Sequence, residues 1–144
     1  MYKHILLPTD GSKASIRAIE QGAELAQALG AEVTLMSAVE RFGVGAIGLT
    51  YSDIGHPLNI AAREAALFNL DEAQQLLAKY KLKINKMVLH EGSIYQCILE
   101  ATKQSGADLI VMGRHGSGAL ERLLVGSQTQ RVLAHTTTPV LVLS

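Results

Sequence analysis

A stretch with three glycines at set spacing contains the residue types best suited to chemistry in this chain. The glycines are Gly113, Gly116 and Gly126, and Ser127, Gln128 and Thr129 follow the last of them. Glycine lets the backbone turn sharply and lets a ligand approach main-chain amides. The residues after the last glycine begin a helical pattern, and the amides and positive dipole of a helix start suit a phosphate group. The stretch therefore predicts an anion site built mainly from backbone.

The elements that position this stretch begin with short apolar runs, which predict five β-strands. The runs cover Ile5–Pro8, Ala31–Val39, Ile84–His90, Leu109–Met112 and Val140–Leu143. Pro8 fits only at the end of its strand, because proline cannot donate to a ladder. Continuous apolar runs are typical of parallel strands that are covered on both faces.

Helical patterns separate the strands. The first follows the turn Thr9–Ser12, repeats apolar residues at Ile16, Ile19, Ala23 and Ala26, and ends at Gly30. The second begins near Pro57, and its predicted apolar positions are Ala61, Ala65, Phe68, Ala73, Leu76 and Tyr80. Gly92 and Ser93 cap the third, whose apolar face is Ile94, Cys97, Ile98 and Ala101. The fourth covers Ser127–His135, and a short helical turn is predicted near Leu120.

This alternation predicts a three-layer α/β/α fold, in which helices cover both faces of an open parallel five-stranded sheet. In such sheets a ligand binds at the carboxyl ends of the strands, where the strand order reverses. One long connection, Arg41–His56, contains four glycines among apolar residues. It is interpreted either as a surface excursion or as a flap over a ligand or a partner.

Composition limits the function classes. The 144 residues suit a single domain covering 1–144, and the net charge of zero favours neither nucleic acid nor an anionic membrane. The one cysteine, Cys97, cannot form an internal disulfide and is interpreted as inert core. No basic leader precedes the first strand, and no apolar run is long enough to span a bilayer. These features predict a cytoplasmic protein.

The glycine pattern and both ends of the chain resemble the ATP-binding branch of the universal stress protein family. Gly113-x2-Gly116-x9-Gly126-Ser127 is similar to that family's G-x2-G-x9-G-[ST] pattern. The segments His4–Ser12 and Thr138–Ser144 resemble its first strand with its turn and its last strand. The resemblance implies the strand order 3-2-1-4-5, which puts the reversal between strands 1 and 4.

The resemblance also implies which residues meet a nucleotide. They are Pro8, Thr9, Asp10, Val39, Met112, Gly113, Arg114, His115, Gly116, Gly126, Ser127, Gln128 and Thr129. The implied ligand is ATP or another adenine nucleotide, with Mg²⁺ or Mn²⁺ that Asp10 helps to hold. It further implies a homodimer through the last strand, with Val140, Leu141, Val142 and Leu143 at the interface.

Each of these site residues also has an ordinary structural interpretation. Asp10 could brace its turn through an Asx bond, and Val39 could be strand core. The glycines Gly113 and Gly116 could serve a tight connection that needs positive φ. Arg114 could pair with a phosphate or lie in solvent.

Three functions remain open from the sequence. The leading hypothesis is a small ATP-binding regulatory protein of the stress response, whose nucleotide-bound state is read by a protein partner and which has at most weak ATPase activity. The second is a nucleotide-independent dimeric scaffold, and the third is an adenylyl-transfer enzyme on a related fold. The chain lacks a Walker A motif, and no nucleophile–base pair is evident in it.

Overall fold

Five parallel strands form one sheet in the parts of the chain that the structure describes. The structure is a computed structural model that describes residues 1–39, 57–90, 92–114 and 125–144. The strands are β1 (His4–Pro8), β2 (Glu32–Ala38), β3 (Ile84–Leu89), β4 (Leu109–Gly113) and β5 (Val140–Leu143). They pair in the order β3-β2-β1-β4-β5, and every pairing is parallel. The predicted fold class and strand order are therefore confirmed.

Four α-helices in these ranges cover the two faces of the sheet. They are α1 (Lys13–Leu29), α2 (Pro57–Leu76), α3 (Ile94–Ser105) and α4 (Ser127–His135), and a 3₁₀ turn at Leu77–Lys79 follows α2. Buried residues of α1 and α2 pack on one face of the sheet, and those of α3 and α4 pack on the other. Side chains alternate along a strand, so successive β1 residues pack on opposite faces of the sheet. Ile5 and Leu7 lie on the α1 side, and Leu6 lies on the α3 side.

Local signals explain where α1 begins and ends. The Ser12 side chain accepts a hydrogen bond from the amide of Ser15, and Gly30 ends the helix in the left-handed conformation with φ of 67°. Gly22 lies over the sheet, where an added Cβ would be 2.5 Å from a methyl carbon of Leu7. This close approach packs the middle of α1 directly on β1.

The apolar face predicted for α2 is largely wrong. Its buried residues are Ala66, Leu70 and Ala73, and Leu77 of the following 3₁₀ turn is also buried. Of the predicted positions, Ala73 is buried and Leu76 and Tyr80 are half-buried, whereas Ala61, Ala65 and Phe68 are exposed. Apolar residues occur all round this helix, so their presence does not select the face that meets the sheet.

The remaining helices agree with the sequence interpretation. Cys97, Ile98 and Ala101 of α3 are buried, as is Val132 of α4, and Cys97 lies within the core as predicted. The Arg41–His56 connection and the turn near Leu120 lie outside the described residues. Within the described ranges, no helix combines the length and the apolar character needed to cross a membrane.

Candidate functional site

The carboxyl ends of β1 and β4 lie next to each other at the reversal of strand order. β1 is flanked by β2 on one side and by β4 on the other. Pro8, Thr9 and Asp10 therefore leave the sheet beside Met112, Gly113 and Arg114. Open parallel sheets bind ligands in the crevice that such a reversal creates. The sequence-predicted residues of the two strands are thus brought to one edge, while His115 and Gly116 lie outside the described residues.

Gly113 is required by packing rather than by an unusual backbone angle. A Cβ on this residue would lie 2.9 Å from the carbonyl oxygen of Ala14 in the first turn of α1. Its φ is not positive, so the tight-turn interpretation does not apply to it. The absent side chain lets β4 end directly against the first turn of α1.

The start of α4 is bound to the end of β4 by two hydrogen bonds. The hydroxyl of Thr129 donates to the carbonyl oxygen of Gly113 at 3.2 Å. The amide of Gly126 donates to the carbonyl oxygen of Arg114 at 2.7 Å. The amide of Arg114 in turn donates to the carbonyl oxygen of Leu143 at 2.6 Å. The first turn of α4 therefore lies beside Gly113, and Thr129 is buried there.

The first turn of α4 lacks a side-chain cap of the kind that α1 has. Its N-cap residue is Gly126, and no cap hydrogen bond from a side chain is present there. The first helical bond runs from the amide of Gln130 to the carbonyl oxygen of Gly126 at 3.0 Å. The amides of Ser127, Gln128 and Thr129 precede that bond, and such amides are the groups that bind anions at helix starts.

Gln128 has a partner on another helix. Its side-chain oxygen Oε1 accepts from the amide of Tyr95, in the first turn of α3, at 3.0 Å. The α3 start is also closed by Gln96, whose Oε1 accepts from the amide of Ser93 at 2.9 Å. The Gln128 side chain therefore links the first turns of α3 and α4.

The turn after β1 is braced by its own side chains. The Oδ1 atom of Asp10 accepts from the amide of Ser12 at 2.9 Å, which is the Asx bond weighed above as an alternative role. The hydroxyl oxygen of Thr9 accepts from the amide of Gly11 at 3.2 Å and lies 3.4 Å from the hydroxyl of Ser15. Asp10 itself is exposed at the crevice edge, so the brace leaves its carboxylate accessible to solvent.

The other strand-end residues are held by the sheet. The amide of Thr9 donates to the carbonyl oxygen of Met36 at 2.8 Å, and the amide of Val39 donates to the carbonyl oxygen of Leu89 at 2.7 Å. Val39 and Met112 are buried, and Met112 packs in the core beneath α3 and α4. Pro8 is half-buried and ends β1 as predicted. The amide of Val39 is therefore engaged at the end of β2.

Among the described ranges, no group of three or more histidine, cysteine or acidic residues is arranged to hold a metal ion. Among the residues that the structure describes, Asp10 is a carboxylate exposed at the edge of the crevice. A divalent cation there would need further oxygen ligands, and nucleotide phosphates are the usual source of them.

A second polar cluster lies at the opposite, amino end of the sheet, and the sequence interpretation missed it. Nε2 of His4 lies 2.7 Å from the hydroxyl of Thr34, and Nδ1 lies 3.0 Å from a carboxylate oxygen of Glu32. This hydroxyl–imidazole–carboxylate order resembles a catalytic triad. Thr34 is only 1% exposed, however, so no substrate reaches its hydroxyl. The cluster is therefore a structural brace.

Two acidic groups at this end have lowered pKa values. A hydrogen bond from Lys83, whose Nζ lies 2.9 Å from Glu32, lowers the pKa of the Glu32 carboxyl. Burial acts to raise the pKa of Asp108, but amides of Lys3 and His4 that donate to its carboxylate outweigh burial and lower it. The parallel register pairs His4 with Glu32, and only that pairing reveals the contact.

Comparison with known proteins agrees with this geometry. The model of the family described as "Universal stress protein family" matches residues 1–144. A universal stress protein of Methanocaldococcus jannaschii, MJ0531, is 32% identical over 142 residues, which cover 99% of this chain and 82% of the relative. A universal stress protein of Thermus aquaticus is 33% identical over 142 residues and covers 98% of both chains.

Solved structures share the fold. The universal stress protein UspA from Lactobacillus plantarum superposes with a TM-score of 0.82 at 26% identity, covering 99% of this chain and 98% of the other. A universal stress protein in complex with cAMP has a TM-score of 0.73 at 23% identity, over 99% and 97% of the chains. One from Archaeoglobus fulgidus in complex with dAMP has a TM-score of 0.68 at 18% identity, over 99% and 98%.

The last two structures are too distant in sequence to show more than the fold. The family model, by contrast, extends over the whole chain, and both relatives match it over nearly all of its length. The chain therefore belongs to the universal stress protein family.

Proposed function

We propose that this protein binds an adenine nucleotide, ATP with Mg²⁺ or Mn²⁺, in the crevice between the ends of β1 and β4. The observation that carries the proposal is the start of α4, which has no side-chain cap and is hydrogen-bonded to the end of β4. Relatives of the same fold bind cAMP and dAMP, which are adenine nucleotides. Both the geometry and the family therefore favour the same class of ligand.

The described residues offer distinct contacts to such a ligand. The amides of Ser127, Gln128 and Thr129 would donate to phosphate oxygens, where the helix dipole favours negative charge. The exposed carboxylate of Asp10 would accept from ribose hydroxyls or hold the cation beside the phosphates. The carbonyl of Val39 would accept from the exocyclic amine of adenine, because its amide already donates to Leu89.

We further infer a regulatory role in which the nucleotide-bound state is read by a protein partner in the cytoplasm. Within the described ranges the crevice offers backbone amides, a carboxylate and a buried hydroxyl, which would bind and orient a nucleotide but supply no committed attacking group. Any hydrolysis would therefore be slow and secondary to binding.

A homodimer through β5 is part of the same proposal. β5 is the last strand in the order of the described sheet, and its Leu141 is 39% exposed. An apolar edge strand has unpaired backbone groups that favour pairing with another strand, and a second copy of β5 is the simplest partner.

A nucleotide-independent scaffold is the second candidate, and two observations favour it. Gly113 is explained by its contact with Ala14, and Asp10 is explained in part by its bond to Ser12. Neither residue therefore requires a ligand to account for its presence.

Nucleotide content and affinity distinguish the two candidates. We expect the purified protein to release an adenine nucleotide on denaturation, identified by mass, and calorimetry to show Mg-ATP binding more tightly than Mg-GTP. Gly126→Val should abolish that binding with an unchanged fold, because a side chain would occupy the phosphate position. A nucleotide-free protein whose thermal midpoint does not move with Mg-ATP, or a Gly126→Val variant that binds normally, would favour the scaffold.

A further inference from the structure

Helix α2 has two apolar faces, and only one of them is used by the core. Leu70 and Ala73 of α2 pack in the core against the sheet, and Ala66 is buried on the same side of the helix. On the outer side Phe68 is 67% exposed, Ile60 46% and Leu67 43%, and Ala61 and Ala65 are exposed beside them. Single exposed apolar residues are ordinary, but five of them exposed on one side of a helix mark an interaction surface. We call these five residues the outer face of α2.

Arg63 is exposed beside Ile60 and Leu67, but the charged residues next to Phe68 along the helix are acidic. Along the i, i+4 row of the helix the residues read Ile60, Glu64, Phe68 and Glu72, so apolar and acidic side chains alternate. Both glutamates are exposed, one helical turn before and after Phe68. Asp71 is also acidic, but its Oδ1 atom is paired with Nζ of Lys86 at 3.2 Å. The Phe68 ridge therefore has negative charge on both sides.

A second copy of the same face fits poorly. In an antiparallel pairing of two α2 helices about Phe68, Glu64 of one copy would oppose Glu72 of the other. Like charges held together are destabilising, and burial beside an apolar contact increases their cost. Charge therefore disfavours self-association through this row and favours a partner of opposite charge.

We propose that the outer face of α2 is a docking surface for a basic amphipathic helix of another protein. In that arrangement the partner's apolar residues contact Phe68, Ile60 and Leu67, and the small residues Ala61 and Ala65 leave room for a side chain beside Phe68. Lysine or arginine residues one turn away on the partner meet Glu64 and Glu72. None of the five residues of this surface is among the residues assigned to the crevice between β1 and β4, so the proposal does not depend on nucleotide binding.

Designed peptides test this proposal directly. The probes are three labelled synthetic peptides of equal length: an amphipathic helix of leucine and lysine, the same helix with glutamate for lysine, and a scrambled leucine–lysine sequence. Fluorescence anisotropy of each is measured against the full-length protein. We expect the basic amphipathic peptide to bind at least about tenfold more tightly than either control. Equal binding of the scrambled peptide, or no binding of any peptide, overturns the proposal.

Variants of the protein locate the binding. Phe68→Ser should weaken binding of the basic peptide about tenfold, because it removes the central apolar contact. The double variant Glu64→Lys/Glu72→Lys should reverse the preference, so that the acidic peptide binds more tightly than the basic one. Leu133→Ser changes an exposed leucine on α4 instead and should leave binding unchanged.

Folding and self-association provide the controls. All these side chains are exposed, so the variants should melt within a few degrees of the unaltered protein. Sedimentation of the unaltered protein and of Phe68→Ser is compared at the same concentration. A dimer that dissociates in Phe68→Ser, or a preference that charge reversal leaves unaltered, contradicts the proposed partner.

Discussion

The carbonyl oxygen of Ala14 lies within contact distance of the space where a side chain on Gly113 would begin. A Cβ there would be 2.9 Å from that oxygen and 3.0 Å from the adjoining carbonyl carbon. Both atoms are backbone, so neither moves without displacing the first turn of α1. The end of β4 and the start of α1 are therefore in direct main-chain contact at the crevice.

Gly113→Ala should destabilise the protein by about 1–3 kcal/mol, the usual cost of overpacking a close contact. Urea unfolding should show a lower midpoint with an unchanged slope. Gly30→Ala is the matched control, because it has φ of 67° but nothing within 4 Å of an added Cβ. The stability that Gly30→Ala loses should reflect backbone strain alone. The nucleotide affinity of this variant should be unchanged. A fully stable Gly113→Ala variant would contradict the packing role.

Two substitutions separate the roles of Asp10. Asp10→Asn keeps an oxygen for the amide of Ser12 but removes the charge, so stability should be nearly unchanged. Asp10→Ala removes both the accepting oxygen and the charge, and it should lower the free energy of unfolding by about 1 kcal/mol. Both variants should bind nucleotide more weakly in calorimetry, and the loss should be larger with Mg²⁺ than without it. Unchanged affinity in Asp10→Asn would assign this residue to the turn alone.

Substitutions of Gln128 test whether its bond to the Tyr95 amide of α3 positions α4. Gln128→Leu should destabilise the protein by about 1 kcal/mol and speed hydrogen exchange of the Tyr95 amide, because it removes the acceptor for that amide. Gln128→Glu retains an acceptor at a helix start and should preserve protection of Tyr95. Fast exchange in both variants, or in neither, would contradict the proposed link.

Asp108 should make stability depend on pH at the amino end of the sheet. Its pKa is lowered in the folded protein, so its contribution is present above the ordinary aspartate value of about 3.9 and is lost as pH falls through the lower folded value. Asp108→Asn should therefore reduce the free energy of unfolding by about 1 kcal/mol at pH 7. The difference from the unaltered protein should shrink as the pH falls below about 4. A difference that is the same at every pH would contradict the carboxylate's role.

Leu141→Lys tests the dimer proposed through β5. A charge on this edge position should convert a dimer into a monomer in sedimentation, because lysine disfavours edge-to-edge pairing. Leu133→Lys changes a comparably exposed leucine on α4 and should leave the assembly intact. A dimer that persists in Leu141→Lys would place the interface elsewhere.

The sequence predicts this fold well because its signals are local. Continuous apolar runs indicated the five strands, and capping residues such as Ser12 and Gly30 marked the ends of α1. The face of α2 was mispredicted because apolar residues surround that helix, and the contact with the sheet decides which of them is buried. The sequence pattern also could not predict that Gly113 contacts Ala14 or that Gln128 bonds to Tyr95. In both pairs the two residues are far apart along the chain.

The backbone of Arg114 connects the edge strand β5 to the start of α4 through two hydrogen bonds. Its amide is held by Leu143 of the edge strand, and its carbonyl holds Gly126 at the start of α4. If nucleotide binding at α4 changes the free energy of pairing at β5, then pairing must change the affinity for nucleotide by the same factor. Nucleotide binding and dimerisation are then linked equilibria. Measuring the nucleotide affinity or the dimer fraction at several protein concentrations therefore reports on the other.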